Sequence, residues 1–124
     1  MRRMLLMASV VLGLAGTVWA GKITRVETHV DLTAGNAYGS IYDARHSADS
    51  VHYIGCALYF FAGGTRLACQ AQDVNANSLS CMSDDPEMVK IAQSMSADSY
   101  VSFKCAGKSL TYLYVASSST FMAD

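Results

Sequence analysis

The sequence lacks several motifs that would identify an enzyme or a metal protein. It contains no Gly-x-Ser-x-Gly motif, which many serine hydrolases carry, and its nine glycines form no phosphate-binding loop. Its four cysteines are separated by 12, 11 and 23 residues, whereas zinc sites use close pairs such as Cys-x-x-Cys. The sequence therefore points to no particular reaction, and we expect neither a cofactor nor a metal.

The N-terminus has the pattern of a secretory signal. Two arginines precede the apolar stretch from Leu5 to Leu14, and Val18-Trp19-Ala20 has small residues at the −3 and −1 positions of a signal peptidase site. The uncharged run of 16 residues is shorter than the roughly 20 residues of a membrane-spanning helix. We predict a cleaved signal peptide at residues 1–20 and a single domain at residues 21–124, located in the periplasm or outside the cell.

The predicted domain carries a mild negative charge. Without the two N-terminal arginines, seven basic residues remain against ten acidic ones, a net charge of −3. Nucleic acid and anionic membranes favour basic patches, so neither is expected as the main partner. The expected partner is another secreted or periplasmic protein, and the oligomeric state is not indicated.

The cysteine count predicts two disulfides, because an even number in a short exported chain is typical of a disulfide framework. Cys56, Cys69, Cys81 and Cys105 all lie in the predicted domain, at strand positions that share an apolar face. We favour the pairs Cys69–Cys81 and Cys56–Cys105. Cys56–Cys69 is the main alternative, because these residues face each other across a tight hairpin.

Short runs of alternating polar and apolar residues, separated by turn residues, predict β-strands. The clearest unit is a hairpin over Tyr53 to Asp73 that turns at Ala62 and Gly63. Its apolar face is predicted to comprise Ile54, Leu58, Phe60, Leu67 and Ala71. Further strands are predicted at residues 22–32, 37–43, 77–82, 100–105 and 108–116.

A single helix is predicted after Ser83. Residues 83–87 supply capping side chains, a proline at an early helical position and acidic residues in the first turn. The residues at helical spacing, predicted to face the core, are Met88, Ile91, Ala92 and Met95. The predicted fold is mainly β: a small disulfide-bonded sandwich or open barrel of six or seven strands with one helix.

A polar segment between two strands contains Asp43, His46, Asp49 and His52, one at every third position. Imidazoles and carboxylates are metal ligands, but this spacing aligns side chains only in a helix, which the segment does not predict. A solvated loop is the simpler interpretation.

Tyrosine is frequent at predicted strand positions. Tyr59 alternates with apolar residues in its strand, and Tyr112 and Tyr114 alternate with Leu113. Because the apolar residues are expected to face the core, these three tyrosine rings are predicted to lie on the opposite face. Exposed tyrosines bind proteins or sugars well, because each ring offers apolar area and a hydroxyl. The alternative is that these rings belong to the core. The tyrosines at predicted strand positions are Tyr38, Tyr42, Tyr53, Tyr59, Tyr112 and Tyr114.

Several short strings resemble small exported bacterial proteins of unassigned function. They are Tyr38-Gly39-Ser40-Ile41-Tyr42, Ala44-Arg45, Ser47-Ala48-Asp49, Tyr53-Ile54-Gly55-Cys56 and Ser83-Asp84-Asp85-Pro86. The resemblance implies no activity and no site residues.

These observations favour an exported, non-catalytic binding protein whose contact residues are Tyr59, Tyr112 and Tyr114. Two alternatives belong to other classes. An inhibitor of a secreted enzyme would present a protruding loop, for which residues 44–52 are the candidate. A small hydrolase with an unrecognised site would place a histidine beside a carboxylate and a nucleophile in a concave pocket.

Overall fold

The computed structural model describes residues 26–117 and shows a mainly β protein. The predicted signal peptide at residues 1–20 lies outside the described residues. No helix between residues 26 and 117 is long and apolar enough to cross a membrane. The described elements are β1 (His29–Asp31), β2 (Asn36–Ser40), α1 (Ile41–Arg45), β3 (Tyr53–Phe61), β4 (Gly64–Gln72), β5 (Ser78–Ser83), α2 (Pro86–Gln93), β6 (Tyr100–Ala106) and β7 (Ser109–Ala116).

The seven described strands form one sheet in the order β1-β2-β6-β7-β5-β4-β3. Antiparallel pairing builds a first half-sheet from β1, β2, β6 and β7, and a second half-sheet from β3, β4 and β5. A single parallel bridge between Met82 and Ser109 joins the two halves. Strand β1 contacts β4, and β2 contacts β3, so the sheet folds over on itself without closing. The predicted sandwich or open barrel is confirmed.

The core lies between the two half-sheets. Phe103 and Val101 point inward from β6, Leu67 points inward from β4, and all three are fully buried. Helix α2 packs against β3, β4 and β7 and adds Val89 and Ala92. Buried side chains occupy alternate positions on β6 and on the second half of β4, as expected for a sheet with one buried face.

The predicted hairpin is confirmed as β3 and β4, which pair continuously from Tyr53 opposite Gln72 to Phe61 opposite Gly64. Its predicted apolar face is only partly buried. Leu58 is 39% exposed and Phe60 is 79% exposed, because the hairpin extends past the elements that cover the buried Ile54.

The favoured disulfide pairing is wrong. The bonds are Cys56–Cys69 and Cys81–Cys105, and none of the four described cysteines is free. Cys69 lies opposite Cys56 on one side and opposite Cys81 on the other, so the strand register alone allows either bond. The parallel contact between β5 and β7 brings β6 near β5, and Cys81 therefore bonds to Cys105 across the junction of the two half-sheets.

The predicted helix is confirmed as α2. Asp85 is its N-cap and accepts a hydrogen bond from the Glu87 N–H at 2.9 Å, and Pro86 is its first residue. Met88, Ala92 and Met95 pack against the core as predicted. Ile91 is exposed instead, and Val89 takes the inward position.

A second helix, α1, replaces the end of the strand predicted at residues 37–43. Ser40 caps it by accepting a hydrogen bond from the Asp43 N–H at 3.4 Å, and Asp43 lies in the first turn. Ser followed three residues later by an acid is a helix-start pattern that competes with strand alternation. The first predicted strand, residues 22–32, contains the shorter β1, and residues 22–25 lie outside the described part.

Candidate functional site

The outer face of the first half-sheet carries a cluster of tyrosines. Tyr38 on β2 and Tyr114 on β7 both lie opposite Ser102 of β6, so they occupy one row across three strands. Tyr100 and Tyr112 lie on the same face in neighbouring rows. We call Tyr38, Tyr100, Tyr112 and Tyr114 the tyrosine surface.

Three rings of the tyrosine surface lie close to one another. The ring centroids of Tyr38 and Tyr100 are 6.4 Å apart, and those of Tyr100 and Tyr114 are 6.1 Å apart in an edge-on arrangement. His29 extends the row at one end by stacking on Tyr38 at 5.1 Å. At the other end, the Lys104 ammonium lies 5.1 Å from the centre of the Tyr112 ring. The ring spacings are typical of favourable aromatic pairs, so Tyr38, Tyr100 and Tyr114 support one another.

Three of the four rings remain open to solvent. Tyr112 is 43% exposed, Tyr114 is 48% exposed and Tyr38 is also exposed. Tyr100 is partly buried at the centre, and burial, followed by the neighbouring tyrosines, raises its pKa above the usual 10. The tyrosine surface thus presents three solvent-exposed rings around a partly buried one.

Two features place these side chains on the outer face of the sheet: the alternation of residues along β6 and a bulge in β7. Along β6, Val101 and Phe103 face the core, so the residues that alternate with them lie on the outer face. On β7 the register shifts, because Cys105 lies opposite Leu110 while Lys104 lies opposite Tyr112. Thr111 is the extra residue of this bulge, and its hydroxyl donates to the Lys104 carbonyl at 3.3 Å. The bulge allows Leu110 and Leu113 to be buried together while Tyr112 stays outside.

Tyr59 lies away from the tyrosine surface. It is on β3, which β4 and β5 separate from β7, a spacing of about 14 Å across three strand intervals. Its ring stacks on Phe61 at 5.8 Å, and its hydroxyl is 3.7 Å from the sulfur of Met82. The three predicted contact residues are thus all exposed, but only Tyr112 and Tyr114 are neighbours on one surface. Their role in binding stays a prediction.

Two further tyrosines at predicted strand positions also lie away from the tyrosine surface. Tyr53 is exposed on β3, on the second half-sheet. Tyr42 belongs to α1 and stacks on His46 at 3.9 Å. Sequence reasoning missed Tyr100 and His29, although the alternation of Val101 and Phe103 places Tyr100 on the outer face.

The four residues spaced by three along the polar segment do not converge. The carboxylate of Asp43 accepts the Val26 N–H at 2.6 Å, and His46 Nδ1 lies 2.9 Å from the Tyr42 carbonyl oxygen. Asp49 and His52 do meet, with 2.8 Å between Oδ2 and Nδ1. Glu27 approaches this pair, and one ligand atom from each of the three residues lies within 4.8 Å of the others.

Hydrogen bonds within the loop account for the position of Asp49. Its Oδ1 accepts the N–H groups of Val51 and His52, both at 2.9 Å, and His52 is buried beside it. A carboxylate that closes a turn in this way needs no ion. That the protein folds without a metal stays a prediction.

The same hydrogen bonds predict an acid-sensitive contribution to stability. The N–H groups of His52 and Val51 lower the pKa of Asp49 to about 2, from an ordinary value of 3.8. Because the folded-state pKa is lowered, the contribution of Asp49 is present above about pH 4 and is lost as the pH falls toward 2. The midpoint of thermal unfolding should therefore fall less steeply between pH 4 and pH 2 in Asp49→Asn than in the wild type. Asp84→Asn removes an exposed charge elsewhere and is the control; equal slopes in all three proteins would contradict the assignment.

A hydrolase would place a histidine in a concave pocket. Surface cavities of the described residues include ones of about 340, 520 and 410 Å³, and no histidine lines any of these. The Ser47 hydroxyl lies within hydrogen-bond distance of two carbonyl oxygens, 2.9 Å from that of Asp49 and 3.2 Å from that of Ala44, and so belongs to the loop framework. The pairing of a histidine, a carboxylate and a nucleophile in a pocket is not found in these cavities.

Comparison of the chain with protein-family models, with curated proteins and with solved structures gives no match. The function must therefore be inferred from the geometry itself.

Proposed function

We propose that the protein is an exported binding protein that contacts another secreted or periplasmic protein through the tyrosine surface. The observation that supports this most is the grouping of four tyrosines from three adjacent strands on one solvent-facing side of the sheet. Of the three contact residues predicted from the sequence, the proposal keeps Tyr112 and Tyr114. It leaves out Tyr59, because Tyr59 lies on the other half-sheet.

The chemistry of this surface suits a protein partner. Tyrosine presents a large, rigid contact area with few rotatable bonds, and its hydroxyl can donate or accept a hydrogen bond. Here three of the rings contact one another, Lys104 lies over the fourth, and all four stand on adjacent paired strands, so little conformational freedom is lost on binding. Lys104 and His29 give the edges of the surface a polar character, as in typical interfaces.

Export is the second part of the proposal. It rests on the signal pattern in residues 1–20, and the two disulfides are compatible with an oxidising compartment. The alternative of an inhibitory loop receives less support, because His52 is buried and Asp49 bonds the loop to itself.

The tyrosine surface is tested by separate Tyr112→Ala and Tyr114→Ala variants. Immobilised wild-type protein is used to capture partners from the secreted and periplasmic fractions, and the dissociation constant is then measured with the purified partner. We expect each variant to weaken binding by about 2 kcal/mol, which is roughly 30-fold, because central aromatic residues dominate many interfaces.

The matched control is Tyr53→Ala, since Tyr53 is 41% exposed on the other half-sheet. It should bind as the wild type does, and all three variants should melt close to the wild-type temperature. Binding that is unchanged in Tyr112→Ala and Tyr114→Ala would refute the proposed surface. A loss of about 3 to 5 kcal/mol of stability would instead assign these rings to the core.

A further inference from the structure

Strand β3 is an edge strand whose backbone pairs with β4 alone among the described strands, although α1, α2 and β2 lie close to it. It is nine residues long, pairs only with β4 among the described strands, and contains no proline and no charged residue. Its register with β4 is continuous, without a bulge. Edge strands are normally kept from pairing by charges, prolines, bulges or short length, and β3 has none of these features. The opposite edge, β1, is only three residues long.

The backbone N–H and C=O groups of β3 that point away from β4 can be identified residue by residue. The Cα atoms of Cys56 and Cys69 are 4.0 Å apart, which marks a pair that exchanges no backbone hydrogen bonds. Because such pairs alternate with bonded ones, the backbone N–H and C=O groups of Ile54, Cys56, Leu58 and Phe60 point away from β4. No backbone hydrogen bond from another described element reaches these four residues.

On one face of β3, the Phe60 side chain projects near one end of the strand and a groove lies near the other end. Phe60 stands 79% exposed near the hairpin tip, on the same face as the buried Ile54. A groove of about 410 Å³ lies along this face near the other end of the strand. Its lining includes Ile41, Ile54, Leu58 and Met95, and none of its lining residues is charged.

We infer that β3 pairs with β3 of a second copy of this chain, antiparallel, about a two-fold axis at Ala57. This register places Cys56 opposite Leu58 of the partner subunit, so the outward backbone groups of both strands meet. It also places Phe60 opposite Ile54 of the partner subunit on the same face. Each copy thus inserts its exposed ring into the groove of the other, and the contact is self-complementary.

The absence of charge favours a second copy over an unrelated peptide. Residues 50–65 contain no Asp, Glu, Lys or Arg, so two copies of β3 bring no like charges together. The uncharged groove likewise offers no partner for a charged segment. Two fully covered Phe60 rings bury on the order of 300–500 Å². With Leu58 and the strand backbones, the contact approaches the lower end of stable interfaces, about 1,200 Å², so the dimer should be reversible.

Analytical ultracentrifugation of the disulfide-intact protein over a wide concentration range tests the inference. The wild type should pass from monomer to dimer as concentration rises, whereas Phe60→Lys should stay monomeric or dimerise at least about 10-fold more weakly, since an edge lysine opposes strand pairing. Phe60 is exposed, so near-ultraviolet circular dichroism and melting should confirm an unchanged monomer fold. Tyr114→Ala is the control and should dimerise normally.

Amide hydrogen exchange by NMR provides a second readout. The N–H groups of Ile54, Cys56, Leu58 and Phe60 should gain protection at high concentration, while those of the intervening residues are already protected by β4. A wild type that stays monomeric throughout, or a Phe60→Lys variant that dimerises as strongly as the wild type, would overturn the inference. Partner capture through the tyrosine surface should survive in Phe60→Lys, so this inference and the proposed function can fail separately.

Discussion

Replacing Phe103 with alanine should lower the free energy of unfolding by about 3 to 5 kcal/mol. Phe103 is fully buried on β6, between β2 and β7, and has the largest of the fully buried side chains. Alanine would leave a cavity that the surrounding strands can fill only in part. Small domains are typically stable by about 5 to 15 kcal/mol, so one substitution would remove a large share of the total.

Chemical denaturation of the two proteins measures this difference, and Phe60→Ala is the matched control. Phe60 has the same side chain but is 79% exposed, so its removal should change stability by no more than about 0.5 kcal/mol. The comparison must be made at low concentration, where the inferred dimer does not contribute. Similar losses in both variants would contradict the contrast between a buried Phe103 and an exposed Phe60.

Removing the Cys81–Cys105 disulfide should be the second most damaging change, with a cost of about 3.5 kcal/mol for a closed loop of this length. The bond spans 24 positions in sequence and connects β5 to β6 at the junction of the half-sheets. Among the described strands, one parallel bridge from Met82 to Ser109 joins the two halves there. Without the disulfide, the unfolded chain gains freedom and the junction loses its covalent link.

The measurement compares Cys81→Ala/Cys105→Ala with Cys56→Ala/Cys69→Ala by thermal and chemical unfolding. Cys56 and Cys69 are 13 positions apart, within a hairpin already held by continuous strand pairing, so their loss should cost about 3 kcal/mol or less. Alanine avoids burying a hydroxyl at Cys81, which is almost inaccessible. A larger loss from the hairpin pair would show that the junction does not depend on its disulfide.

Features fixed by neighbouring residues were predictable from the sequence. Alternation and the turn at Ala62 and Gly63 gave the hairpin register, including Cys56 opposite Cys69. The capping residues before Pro86 located α2. These signals are local, and the tertiary structure agrees with them.

Features that depend on the order of strands were not predictable. Nothing in the local pattern places β6 beside β2, or β7 beside β5, and the Cys81–Cys105 bond follows from that order. The same limit applies to the candidate site. Alternation gave the outward direction of Tyr59, Tyr112 and Tyr114, but only the strand order shows that Tyr59 lies apart from the other two.

Chemical modification of tyrosines, read by mass spectrometry, tests the central claim most directly. Tyr38, Tyr112, Tyr114 and Tyr53 are all exposed in the free protein, so all four should react with a tyrosine-specific reagent. With the captured partner bound, modification of Tyr38, Tyr112 and Tyr114 should fall sharply, while modification of Tyr53 should continue as before. Unchanged reactivity of those three residues, or protection of Tyr53 alone, would contradict a partner bound to the tyrosine surface.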